Sequence, residues 1–179
     1  AAMGFTVTAG VSSGAFIGYL SSSQQIFQDQ YGVGDRFALY FGILAASIGL
    51  ALQVNGRLVM KRGMFAMADT AMRALVVLSV GYLAYALLEA GNPPFWTLMT
   101  FLVLAFFCIG ILFGNMNSLA MESLGRVAGV GAAVVASLSL AVAVTLGGTI
   151  GQLFDGTVIP LVAGFAILNV KSLIWNLRS

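Results

Sequence analysis

The chain has 179 residues, of which 60% are hydrophobic and only 8% charged, with a net charge of +2 and a mean hydropathy of +1.00. A water-facing surface normally draws on roughly 25% charged residues, so much of this chain must face lipid. The absence of His and the single cysteine, Cys108, exclude the usual zinc sites and any disulfide framework, and the few, scattered cations exclude a nucleic-acid surface.

In lipid every backbone polar group must be satisfied internally, so a span is either a helix or a strand of a closed barrel. Barrel strands would alternate over ~10 residues. The apolar runs here last about twenty residues, the length of a helix crossing a hydrocarbon layer of ~30 Å. The predicted fold class is an all-α membrane protein with six transmembrane helices.

In chain order, "AAMGFTVTAG" begins with Ala1 rather than Met and has no basic segment before its apolar residues, so it is not a signal peptide and reads either as cut from a longer polypeptide or as a processed or trimmed terminus. The first span covers about residues 5–27 and stops at the polar, Gly-rich "QDQYGVGDR". Ser12, Phe16, Tyr19 and Ser23 share one of its faces at helical spacing. The second span, about 36–54, carries Tyr40, and Asp35 is placed to cap it. "NGRLVMKRGM", residues 55–64, reads as a loop that concentrates Arg57, Lys61 and Arg62. The third span, about 65–88, ends at "EAGNPP", where tandem prolines stop one helix and start the next. The fourth, about 95–121, carries Phe106, Phe113, Asn115 and Asn117. The fifth and sixth, about 127–153 and 157–175, are joined by "FDGT".

Six spans place both termini on one side. That side carries Arg57, Lys61, Arg62, Arg73, Arg126, Lys171 and Arg178, whereas the other has Arg36 alongside Asp29, Asp35, Glu89 and Asp155. The positive-inside rule makes the basic side cytoplasmic, in a multi-pass inner (plasma) membrane protein. Small residues recur four apart: Gly10, Gly14 and Gly18; Gly110 and Gly114; Gly129, Ala133, Ser137, Ala141 and Thr145, then Gly147 and Gly151. Such ridges let helix backbones approach closely in lipid, as fixed packing or as a contact that slides.

Catalytic constellations are missing. No His accompanies a serine, and all six acids read as lying near span ends, so the chain is not read as an enzyme. What remains is a polar and aromatic set concentrated in the first and fourth spans: Ser12, Phe16, Tyr19, Ser23, Phe106, Phe113, Asn115 and Asn117, with Tyr40 from the second. Taken singly these are interhelical hydrogen-bonding groups; together they suit the wall of a cavity for an amphipathic organic ligand. Asp69 with Arg73, and Glu122 with Arg126, stand at i,i+4 with the acid first, the favourable order on a helix. They are either ordinary surface pairs or a latch at the basic side.

The stretch Gly56-Arg57-Leu58-Val59-Met60-Lys61-Arg62-Gly63 resembles the loop signature G-x-x-x-D-[RK]-x-G-[RK] of the major facilitator superfamily. Gly56, Lys61 and Gly63 match, while Met60 takes the Asp position and Met64 the last basic one. "NMNSLAMESLGRVAG", residues 115–129, and "YLSSSQQIFQDQYGVG" are similar to segments of the Bcr/CflA drug-resistance subfamily, at helices 10–11 and the end of helix 7. The resemblance implies the C-terminal six-helix half of a twelve-helix transporter, built as two inverted three-helix repeats. Its partners would be the bilayer, an N-terminal six-helix half and a small amphipathic organic substrate. The intact protein would be a proton-coupled exporter or antiporter, driven by the proton gradient without a bound cofactor. An alternative is a stand-alone six-helix unit that binds a solute and oligomerises or docks on a partner; a third is a structural bundle whose polar residues only hold helices together.

Overall fold

The computed structural model describes residues 2–122 and 128–178, apart from the side chains of residues 2–9, 12, 120, 121, 128–132, 135 and 175–178. Six long helices are found among the described residues: α1 (Ala2–Gln25), α2 (Phe37–Arg62), α3 (Met64–Leu88), α4 (Phe95–Glu122), α5 (Ala128–Gln152) and α6 (Ile159–Arg178). A π-helical turn, Ile26–Gln30, continues α1, and a 3-10 turn, Gly34–Arg36, leads into α2. Among the described residues, three helical stretches are long and apolar enough to cross a membrane: Gly34–Arg62, Met64–Leu88 and Phe95–Leu119.

The second connection differs from the loop read in the sequence. α2 continues through Asn55–Arg62, because Arg, Leu, Met and Lys are all good helix formers, and only Gly63 interrupts it before α3. Gly63 has φ 82° and ψ 155°, a conformation essentially confined to glycine. Asp35 does not cap α2 either: the 3-10 turn places Arg36 at the cap, with no side-chain hydrogen bond there. The tandem prolines do separate α3 from α4. After Glu89 the chain closes α3 with a hydrogen bond from Gly91 N–H to the Ala86 carbonyl (2.8 Å).

Successive helices alternate in direction, so α1 and α5 run parallel and pack closely. A Cβ at Gly10 would meet Ser139 and Val142, at Gly14 Leu146, and at Gly18 Ile150, while one at Gly147 would meet Ile17 and the Gly14 carbonyl. α2 and α4 form the equivalent pair, with Gly110 against Ile48 and Ala51. The other principal contacts are α3 with α4, α1 with α6, α1 with α4, and α3 with α6. Exchanging the first three helices with the last three (α1 for α4, α2 for α5, α3 for α6) turns α1–α5 into α4–α2 and α3–α4 into α6–α1. It leaves α1–α4 and α3–α6 unchanged, so the main packing pairs map onto one another. α4 is the most enclosed of the three stretches, with 61% of its apolar window buried against 22% for α2 and 28% for α3.

The fifth-helix ridge behaves in two parts. Gly147 and Gly151 face α1, whereas Ala133, Ser137, Ala141 and Thr145 are exposed. Gly129 lies outside the described side chains.

Candidate functional site

The termini of the bundle are chemically distinct. At the end carrying Trp96, Phe27 is fully buried and its ring meets Tyr19, Phe37, Tyr40 and Phe95. The connections there are tied together. Gln30 Nε2 donates to the Gly91 carbonyl (3.1 Å) and Asn92 Oδ1 (3.0 Å), the Tyr31 hydroxyl donates to the Pro93 carbonyl (2.7 Å), and Val158 N–H donates to the Gly91 carbonyl (3.0 Å). Asp155 accepts from the Thr157 hydroxyl (2.7 Å) and backbone N–H (3.1 Å), and those bonds, the hydroxyl foremost, hold its carboxyl below the usual carboxylate range. These bonds tie the connections together, although Gln30 Oε1 is buried without a partner among the described residues.

Midway along the bundle α1, α2 and α4 leave a cleft of about 190 Å³, lined by Ser13, Phe16, Ile48, Leu52, Ile109, Gly110 and Phe113. Gly110 lets α2 and α4 close on one another beside it, since a Cβ there would run into Ile48 and Ala51 of α2. The wall is almost wholly apolar. Its polar feature is the Ser13 hydroxyl, buried and without a hydrogen-bond partner among the described residues. The ring of Phe16 meets that of Phe106 edge-on at 5.3 Å, and Phe106 in turn meets Tyr19 at 4.9 Å. The Tyr19 hydroxyl is likewise buried with no partner among the described residues. An unpartnered hydroxyl in an apolar interior carries a standing desolvation cost, which a ligand with a hydrogen-bonding group would relieve.

The residues singled out in the sequence are therefore distributed. Phe16 and Phe113 line the cleft, and Phe106 and Tyr19 back it. Ser23 is buried but bonds to its own helix at the Leu20 carbonyl (3.3 Å). Tyr40 belongs to the aromatic cluster at the Trp96 end, with Phe95 at 4.8 Å, not to the cleft. Asn115 forms a reciprocal amide pair across α2 and α4: its Nδ2 donates to Asn55 Oδ1 (2.7 Å) and Asn55 Nδ2 donates back (3.3 Å). Asn117, two residues further along α4, is half-buried. The Ser12 side chain and Arg126 lie outside the described residues.

At the basic end Gly56, Arg57, Lys61 and Arg62 are exposed on the last turns of α2, next to Gly63. Asp69 and Arg73 form an ion pair at 2.9 Å along α3, and Glu122 is exposed at the end of α4. Sequence reasoning passed over Ser13 and Asn55. Ser13 stands one residue from the chosen face of the first span, and Asn55 had been assigned to a loop.

No family model matches the chain, and no solved structure matches it. It is 28% identical over 178 residues to the "uncharacterized MFS-type transporter YdgK" of Bacillus subtilis (strain 168), a similarity covering 98% of this chain and 42% of that relative. The chain thus spans less than half the length of the protein it matches.

Proposed function

We propose that this chain is the C-terminal six-helix half of a major facilitator transporter and forms one wall of its substrate path. The observation that carries this reading is the packing symmetry: helices α1–α3 and α4–α6 begin at opposite ends of the bundle and interchange with their main packing pairs preserved. That is the signature of inverted repeats, which in such transporters rock around a site near the bilayer midplane. The similarity to a named MFS-type transporter over nearly the whole chain supports the same reading.

Two further features fit half of a site. A cleft of about 190 Å³ is smaller than the ~300–1,000 Å³ typical of pockets that enclose a small organic ligand. A second bundle would complete it. Helices α2 and α5, which exchange under the symmetry, carry glycines with open space around them, Gly42, Gly49 and Gly148. Their exposed faces are where a facing N-terminal half could lie close. The substrate class is a small amphipathic organic compound, its apolar body against Phe16 and Phe113 and a polar group on Ser13. The basic end, with Arg57, Lys61 and Arg62, faces the cytoplasm. Drug export of the Bcr/CflA kind, coupled to protons through carboxylates outside this chain, is the finer form of the proposal.

The test is efflux of a fluorescent amphipathic cation from proteoliposomes holding the full-length protein under an imposed pH gradient. Ser13→Cys and Phe113→Cys variants are then labelled with a membrane-impermeant thiol reagent. Substrate-protectable labelling at both positions supports the cleft. Efflux that persists while neither position can be labelled would refute it.

A further inference from the structure

On the far side of α4 from the cleft, α3 and α4 leave an open groove. One part, of about 580 Å³, is lined by residues that include Gly81, Tyr82, Trp96, Thr97 and Leu104. A second part, of about 520 Å³, is lined by residues that include Arg73, Ala74, Phe107 and Cys108. Val77, Leu78 and Leu104 line both, so the two form one trough along the helix pair. Its floor is fixed by Tyr82, whose ring stacks on Phe101 at 4.5 Å and 3° and whose hydroxyl lies 3.1 Å from Thr97 Oγ1. Its depth comes from Gly81, where a side chain would find nothing within 4 Å.

The lining is mostly apolar, its polar groups being the hydroxyls of Tyr82, Tyr85, Thr97 and Thr100 in the part near Trp96, and Arg73 stands at the other end. There Arg73 Nε donates to Asp69 Oδ2 at 2.9 Å, which fixes the guanidinium plane. The terminal nitrogens have no partner among the described residues, and the Arg73 side chain is 59% exposed. A helical rise of ~1.5 Å per residue puts Arg73 about 24 Å from Glu89 along α3. In a hydrocarbon layer of ~30 Å, that leaves the guanidinium within snorkelling reach of the headgroups at the basic end. Gly81 lies about 12 Å from Arg73 along α3, within one leaflet of that layer, whereas Trp96 marks the opposite end of the bundle.

We propose that the α3/α4 trough binds a single glycerophospholipid from the leaflet at the basic end, with its phosphodiester on the Arg73 guanidinium and an acyl chain laid over Val77, Gly81 and Leu104. The planar fork of an arginine matches two phosphate oxygens, and a linear apolar trough entered from lipid matches a chain. The inference does not depend on the transport reading, since none of its residues lines the cleft.

Full-length protein, stripped of lipid in detergent, is titrated with dioleoylphosphatidylglycerol and examined by native mass spectrometry, with dioleoylglycerol as the phosphate-free arm. One phosphatidylglycerol is retained per chain, and binding weakens about tenfold or more in Arg73→Gln, in Gly81→Phe, and when dioleoylglycerol replaces the phospholipid. Asp69→Asn, which keeps the guanidinium charge, retains the lipid. Absence of a retained lipid, wild-type binding by both Arg73→Gln and Gly81→Phe, equal binding of dioleoylglycerol, or loss in Asp69→Asn to the level of Arg73→Gln would each overturn the proposal.

Discussion

Replacing Gly147 and its neighbour Gly148 separately by alanine isolates one of the closest approaches between α1 and α5. A Cβ on Gly147 would lie 2.5 Å from Ile17 Cβ and 2.7 Å from the Gly14 carbonyl oxygen, whereas one on Gly148 has nothing within 4 Å. Carbon atoms in contact prefer ~3.5–4.0 Å, so α1 and α5 must separate by about 1 Å to admit the first methyl. Overpacking of this kind costs about 1–3 kcal/mol. Both positions are interior to α5, so the gain of roughly 1 kcal/mol from replacing a helical glycine is common to both and cancels in the difference. At roughly 2–4 °C per kcal/mol for a chain of this size, Gly147→Ala should melt at least about 2 °C, and up to roughly 10 °C, below Gly148→Ala. Cys108 is buried, so its reaction with a thiol-reactive dye during heating of detergent-solubilised protein reports unfolding. Equal melting temperatures for the two variants would mean that α1 and α5 are not in glycine-mediated contact, and the helix order derived from that contact would fail with it.

Two further outcomes test other joints. The Asn55–Asn115 pair should show a coupling of about 0.6–1.7 kcal/mol in a double-mutant cycle with leucine at each position, the range seen for hydrogen bonds between membrane helices, read from the same melting assay. Gly63→Ala forces a side chain into a backbone region costing about 1–3 kcal/mol; a lowered melting temperature is expected, whereas Gly56→Ala, with open space and helical geometry, should raise it by the gain of up to about 1 kcal/mol for a helical glycine.

The helix count and most turns were legible because proline, glycine and polar clusters interrupt runs that are otherwise uniformly apolar. "EAGNPP" and "FDGT" both fall at chain reversals. The second connection was misread because its charges were taken as a loop signal, although charged residues with long side chains extend a helix readily once it emerges from lipid. That error propagated. With Asn55 placed in a loop, its amide could not be considered as the partner of Asn115, and the latter was grouped with a cavity wall. The fifth-helix ridge shows a different limit. Spacing of four marks a small-residue ridge that winds around the helix by about 40° per step, and only the packing of α1 shows that it covers Gly147 and Gly151 and leaves Ala133 and Ala141 exposed. Tyr40 was legible as buried, but nothing local says which aromatic cluster it joins.

No repeat shows in the residues, whereas the main packing pairs of α1–α3 and α4–α6 map onto one another, and the reason is physical. What the two halves share is a device: glycines four apart on an inner helix, Gly14 and Gly18 on α1 and Gly110 and Gly114 on α4, each against a neighbour that runs parallel. A device needs small side chains at a spacing and leaves the rest of the sequence free to diverge. The two contacts are not equivalent, however. The α2–α4 pair carries the Asn55–Asn115 amides, which bond in one register only, whereas Gly147 and Gly18 of the α1–α5 pair meet the aliphatic side chains of Ile17 and Ile150. The cleft between Phe16 and Phe113 lies on the seam where these two pairs meet. A shift of α1–α5 as a unit against the register-locked α2–α4 pair would therefore change the volume of the cleft without breaking either contact.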